Sequence, residues 1–193
     1  MKKIVYLISI LLLLAFTNRG VVKNTSVIIT PKSKLVVKGK TNVSTFNCIF
    51  NVKELKNPIP VFFEITNNKM VFKKTELVLE NACFDCGNKG INKDFQDLLK
   101  SKTYPQIFLK LKELEKIDEE NSFLQATLEL KIAGVVKQYQ IPVKLEGEND
   151  LFVKGLLVLN ICDFNITPPK KLLGIITVNE TIEIDFQLLI EEC

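Results

Sequence analysis

The residues best equipped for chemistry in this 193-residue chain are its five cysteines. Two of them, in Cys83-Phe84-Asp85-Cys86, stand at a C-x-x-C spacing, which can serve thiol redox catalysis, a structural metal or a disulfide. In a thioredoxin-like enzyme the motif opens a helix behind a buried strand. Here Gly87, Asn88 and Gly90 follow it, a turn-rich stretch, and no βαβ pattern surrounds it. Stapling by disulfides is therefore favoured over a redox site built from Cys83 and Cys86 or a metal site. Cys48 and Cys162 bring the internal set to four, which allows three connectivities, and Cys193 is the odd one.

Other chemistry is limited by what the chain lacks. It contains no histidine, which removes Ser-His and Cys-His triads, His-ligated zinc and the commonest general base. Carboxylates such as Asp118, Glu119 and Glu120 fall in runs suited to a solvated surface, and no paired acid and base stands out. Gly39-Lys40-Thr41 looks like the end of a phosphate loop, but the motif needs a glycine five residues earlier, where Lys34 stands. Neither a catalytic residue, a metal ligand nor a cofactor site is nominated. Nucleic acid is an unsuitable partner as well: Arg19 is the only arginine and tryptophan is absent, so neither a guanine-reading fork nor a strong stacking platform is present.

The elements that must position any site begin after residue 20. Lys2 and Lys3 precede an apolar run from Ile4 to Phe16, with Ala15 and Thr17 as small residues near a cleavage point, the pattern of a secretory signal peptide over residues 1–20. The run is shorter than the roughly 20 residues a spanning helix requires. Residues 21–193 then form one periplasmic or secreted domain, without a membrane span, and a homodimer is allowed. Removing Lys2, Lys3 and Arg19 from the 26 basic residues leaves 23 against 22 acids, so the mature chain is nearly neutral.

Strand patterns fill this domain. Ile182, Ile184, Phe186, Leu188 and Ile190 alternate with Thr181, Glu183, Asp185 and Gln187, as expected of a strand with one dry and one wet face. Similar alternation marks Ile107 to Leu111, Leu124 to Ile132 and Tyr139 to Leu145. Leu156 to Ile161 is apolar on both faces, and Pro168 and Pro169 interrupt the chain before the last strand. Upstream, Ser33 to Lys40 and Thr41 to Asn51 read as two strands around Gly39 or as one long bent strand, and Val61 to Asn67 and Lys69 to Glu80 as two joined by an Asn67-Asn68 turn. One helical window spans Asn92 to Ser101, with Asn92 as its cap, Phe95, Leu98 and Leu99 on one face and Pro105 beyond it. The count is about eight one-sided, mostly antiparallel strands with one or two short helices, a closed barrel or a sandwich. Whether the dry faces fill the interior or line a lumen is open at this level.

Four stretches in order carry a resemblance. Leu35-Val36-Val37-Lys38-Gly39-Lys40-Thr41-Asn42-Val43 with Phe46 is the first. Asn92-Lys93-Asp94-Phe95 through Leu98 and Leu99 to Tyr104-Pro105-Gln106-Ile107 is the second, and Ala133-Gly134-Val135-Val136-Lys137 the third. The fourth runs from Asp163-Phe164-Asn165-Ile166-Thr167-Pro168-Pro169 to Leu173-Gly174-Ile175-Ile176, Val178 and Ile182. Together, over Lys34 to Ile190, they resemble the YceI family. The resemblance implies an eight-stranded antiparallel lipocalin-like barrel, exported and non-catalytic, whose apolar lumen takes a polyisoprenoid, a quinone or a similar long-chain fatty amphiphile. Leu109, Leu128, Leu130, Ile141, Val143, Ile184 and Phe186 are the lumen candidates. Lys102, Lys170 and Lys171 are candidate partners for an anionic headgroup at the mouth. Family members often carry a histidine around the helix, and this chain has none. The resemblance also pairs Cys48 with Cys86, leaving Cys83 with Cys162 as the second candidate disulfide. Because the family is bacterial, the sequons at Asn24, Asn42, Asn165 and Asn179 are read as chance. The competing reading is an extracytoplasmic interaction or stress-response protein with a filled barrel.

Overall fold

The computed structural model describes residues 22–66, 69–117, 123–147, 151–171 and 175–193. The leader over 1–20, the Asn67-Asn68 turn, the carboxylates Asp118, Glu119 and Glu120, and the Leu173-Gly174 pair lie outside the described residues. In chain order the elements are β1 (Val22–Ile29), β2 (Lys34–Lys40), β3 (Thr45–Phe50), β4 (Ile59–Thr66), β5 (Lys69–Phe72), β6 (Glu76–Glu80), β7 (Phe84–Asp85) and α1 (Lys89–Leu98). They continue with β8 (Gln106–Lys116), β9 (Phe123–Ile132), β10 (Val135–Glu146), β11 (Leu151–Asn160), β12 (Lys170–Lys171), β13 (Ile176–Thr177) and β14 (Thr181–Glu192).

Eight of these strands form a closed antiparallel ring in the order β1-β4-β5-β8-β9-β10-β11-β14, with β14 returning to β1. Closure leaves the ring without a free edge, and the dry faces that the alternation marks turn inward onto one core. The wall forks twice. Glu183 to Gln187 of β14 pair with β2, whereas its Ile190 to Glu192 pair with β1. On β8, Gln106 to Lys110 pair with β6 and Glu113 to Glu115 with β5, on either side of a bulge between Leu111 and Glu113. Toward α1 the wall is therefore extended by β2, β3 and β7 from one side and by β6 from the other. The two sides meet through the short turn Asn81–Cys83, which links β6 to β7.

Local chemistry explains where the elements depart from the sequence pattern. The helix starts at Lys89 rather than Asn92, because Asn88 is extended and its side-chain oxygen accepts the Ile91 amide at 2.9 Å. Asn92 instead accepts the Cys86 amide at 2.6 Å and donates to Asp85 at 3.2 Å. The helix stops before Ser101, and Lys100 turns the chain away with φ 54°. Ile91, Phe95, Leu98 and Leu99 share the face that packs on the core. The stretch read as one strand from Lys69 to Glu80 divides into β5 and β6, and the Lys73 amide between them bonds the Phe62 carbonyl at 2.9 Å. On β14, Leu189 is fully buried beside the inward Leu188. The Thr30 amide bonds its carbonyl at 3.0 Å, and the Ser33 hydroxyl accepts its amide at 2.8 Å. Where the β1–β4 ladder ends, the Asn57 amide group bonds both the N–H and the C=O of Ile29 at 3.1 Å.

The seam between β3 and β7 has only two ladder positions, Ile49 with Asp85 and Phe50 with Phe84. It is reinforced covalently, because Cys48 is bonded to Cys86, joining positions 38 residues apart. The Asn51 amide adds a bond to the Cys83 carbonyl at 2.8 Å. Cross-linking a loop of this length stabilises a fold by about 4 kcal/mol through the unfolded chain's lost entropy. Replacing both Cys48 and Cys86 by alanine is expected to lower unfolding free energy by about 2 to 5 kcal/mol in urea titration, and peptide mapping without reduction should recover the Cys48–Cys86 peptide pair.

Asp85 fixes the same turn. The Gly87 amide and the Asn92 side chain donate to its carboxylate, and these bonds, the Gly87 one foremost, hold its pKa below the ordinary value. A carboxylate depressed in the folded state stabilises above its unfolded pKa of about 3.9, and that contribution is lost as pH falls through the lower folded value. Asp85→Asn should therefore narrow the drop in urea midpoint between about pH 5 and about pH 2.5 relative to wild type.

Candidate functional site

Cross-strand partners in an antiparallel sheet share a face, so the register shows which side chains meet inside the ring. Leu109 faces Leu130, Leu128 faces Tyr139, and Ala126 faces Ile141. One belt crosses five strands, from Leu124 to Val143, Gly155, Phe186 and Leu35, and Leu157, Ile184 and Val37 lie alongside it. All seven lumen candidates from the sequence belong to the one apolar cluster. Leu128, Leu130, Ile141 and Val143 are buried, whereas Leu109, Ile184 and Phe186 keep part of their exposure.

Sequence reasoning missed the small residues that shape this interior. A Cβ placed on Gly155 would stand 2.4 Å from the Phe186 ring, and one on Gly39 would stand 2.2 Å from the Phe46 ring. Each glycine makes room for the ring of its cross-strand phenylalanine, and such pairs hold a curved wall in register. The available signal was a glycine inside a strand pattern, which marks close approach of another group.

The α1 end of the ring is packed with aromatic side chains. Phe50, Phe84 and Phe95 form a chain with ring centroids 5.0 and 5.1 Å apart, and the fully buried Phe164 stacks on Tyr139 at 6.3 Å. The Tyr139 hydroxyl is buried without a well-aligned hydrogen bond, although the Asp163 carboxylate is close. Burial, and then that carboxylate, push its pKa up. Among the described residues, two clefts line the surface near this end. One, of about 430 Å³, lies between α1 and the Pro168-Pro169 connection and is lined by Asp94, Asp97, Leu98, Lys100, Asn165, Ile166, Thr167 and Pro169. The other, of about 410 Å³, lies over β2, β3 and β14 and takes in Lys38, Lys40, Asn47, Asn179 and Thr181.

The lysine candidates divide. Lys102 is exposed, and it is Lys100 that ties the end of α1 to the Asn165 carbonyl at 3.1 Å. Lys170 and Lys171 form β12, paired with Thr177 and Ile176. The cysteines require one correction. Cys83 and Cys162 are free thiols rather than a second disulfide, because Cys83 lies half-buried near Glu54 and Glu80 whereas Cys162 is exposed beside Glu180 and Asp163. The redox reading of Cys83 and Cys86 fails on the same geometry. Cys86 is bonded to Cys48, and burial, with Glu54 and Glu80, pushes the Cys83 thiol up, away from the thiolate that nucleophilic attack needs. Cys193 donates to the Ser26 carbonyl at 3.3 Å.

The fold has counterparts among solved structures. Burkholderia cenocepacia BcnA is similar at TM-score 0.62 with 21% identity, over 85% of this chain and 99% of that one. A polyisoprenoid binding domain from Saccharophagus degradans, implicated in plant cell wall breakdown, gives TM-score 0.60 with 14% identity, over 87% of this chain and 98% of that one. The Campylobacter jejuni YCEI protein gives TM-score 0.53 with 19% identity, over 67% and 87%. At these identities the likeness is one of fold. No curated protein matches significantly. The model of the YceI-like domain matches residues 27–190, the span that holds the seam, the inward belt and all of the ring but the first residues of β1 and the last two of β14, and the chain thus belongs to the YceI family.

Proposed function

We propose that this protein is a non-catalytic, extracytoplasmic binding protein that holds a long-chain amphiphile, a polyisoprenoid or quinone-like lipid, inside its ring of strands. The observation that carries the reading is the inward lining: apolar side chains from β2, β8, β9, β10, β11 and β14 converge on one interior, and Leu109, Ile184 and Phe186 keep part of their exposure. Aliphatic tails need no specific polar contact, because burial contributes about 0.8 kcal/mol per CH2 group. That suits a chain without histidine. The Saccharophagus degradans neighbour, a polyisoprenoid binding domain, supports the same class of ligand. Export is supported by the apolar leader over residues 4–16 and by the Cys48–Cys86 bond, which persists in oxidising compartments.

Mass spectrometry of the intact protein, purified without detergent, should find a co-purified amphiphile. Leu128→Trp or Ile141→Phe fills the interior, and Gly155→Ala drives the Phe186 ring into it. In a hollow ring each variant should stay folded while losing the amphiphile. A filled core would instead lose about 1 to 3 kcal/mol of stability on the same changes. That loss, together with a wild type free of amphiphile, would overturn the carrier reading in favour of an interaction protein with a filled barrel.

A further inference from the structure

Exposure of the lining side chains changes in one direction along the ring. On β9, Leu130, Leu128 and Ala126 are buried, whereas Leu124 is half-buried. On β11, Leu159 and Leu157 are buried, Val153 is half-buried, and Leu151 is 41% exposed. Both changes run away from α1: Leu124 lies opposite Lys116 at the end of β8, and Val153 opposite Leu145 near the end of β10. On β8 itself, Ile107 at the start is buried and Leu114 is half-buried. Ile65, which shares a cross-strand row with Leu114 through Met70, is 46% exposed.

The α1 end is blind. Phe50, Phe84 and Phe95 fill it, Phe164 is fully buried against Tyr139, and the Cys48–Cys86 bond closes the seam beside them. At the opposite end the lining faces pass from apolar to charged: Lys116 stands across from Leu124, Lys23 across from Phe63 and Glu192 across from Val27, and all three charged residues are exposed. An apolar rim that gives way to hydrated side chains is the place where an amphiphile divides. Its tail gains by leaving water, whereas its headgroup would lose hydration in the dry interior. Exposed apolar rims and the mouths of β-barrels are recurrent ligand entrances for this reason.

We infer, resting on the carrier reading above, that the amphiphile enters tail first through the end opposite α1. Its headgroup stays at the rim marked by Ile65, Leu124 and Leu151, and its tail tip points toward Tyr139 and Phe164. The mouth is thus at the end away from Lys102, which lies in the connection from α1 to β8. From Leu151 to Leu159 the wall is about 20 Å deep at the usual strand rise and tilt, so the two ends of a bound long-chain acid lie at distinguishable depths.

Intrinsic fluorescence tests the orientation, because the chain has no tryptophan and its tyrosines are Tyr6 in the leader, Tyr104 and Tyr139. In the exported form, Tyr104→Phe leaves Tyr139 as the reporter of the blind end. A second variant, Leu151→Trp, adds a reporter at the rim, where the exposed position accepts a larger ring. Each is titrated with an excess of stearic acid carrying a nitroxide quencher near the carboxylate (5-doxyl) or near the tail tip (16-doxyl). Tyr139 should lose more emission to the tail-tip label, the tryptophan introduced at the rim should lose more to the carboxylate-end label, and unlabelled stearic acid should reverse both losses. The opposite order, or equal quenching of both reporters by both labels, would overturn the tail-first orientation alone. Absence of saturable quenching overturns the proposed mouth if mass spectrometry still finds a co-purified amphiphile, and overturns the carrier reading with it if none is found.

Discussion

Backbone hydrogen bonding along β14 is the constraint on which the fold depends. This strand pairs over ten residues with β11 on one edge and divides its other edge between β2 and β1. An antiparallel sheet with one dry face must either cover that face or close on itself, and the divided edge makes closure feasible: β1 completes the ring at one end while β2 carries the wall onward to the disulfide-bonded seam. The same strand supplies Ile182, Ile184, Phe186 and Leu188 to the interior. Loss of its register by one residue would turn all of them to the outside.

Much of this was legible because alternation is a direct record of burial. The dry faces of β9, β10 and β14 read from the sequence are the faces that meet inside the ring, since nothing competes with the period of two along a strand that is wet on one side. Boundaries were less legible where side chains substitute for backbone partners. Asn88 and Asn92 are both credible caps, and the choice between them depends on where the Cys86 amide lies, which is a tertiary fact. The division between β5 and β6 and the fork in β8 likewise reflect which neighbour is available at each height of the wall.

The interior was legible in its lining and not in its shape. Leucines, isoleucines and valines announce a buried face, but Gly155 and Gly39 determine how the phenylalanine rings lie, and a strand glycine does not reveal which ring will cover it. Cysteine connectivity is similarly a property of the closed ring. Cys48 and Cys86 meet because β3 and β7 are brought edge to edge, whereas Cys83, three residues away from Cys86, keeps other neighbours. Family likeness supplied that pairing where spacing alone allowed three arrangements.

A wall whose last joint is covalent ties the fold to the redox state of its surroundings. While thiols are held reduced, the β3–β7 joint rests on two ladder positions and a single added amide bond, and the hydrogen bonds of Asp85 and Asn92 hold the start of α1 only to β7 itself. A chain kept in that condition is less committed to its compact state. Oxidation locks the joint. Completion of the wall is thus set by the redox chemistry around the chain, not by the length of synthesis.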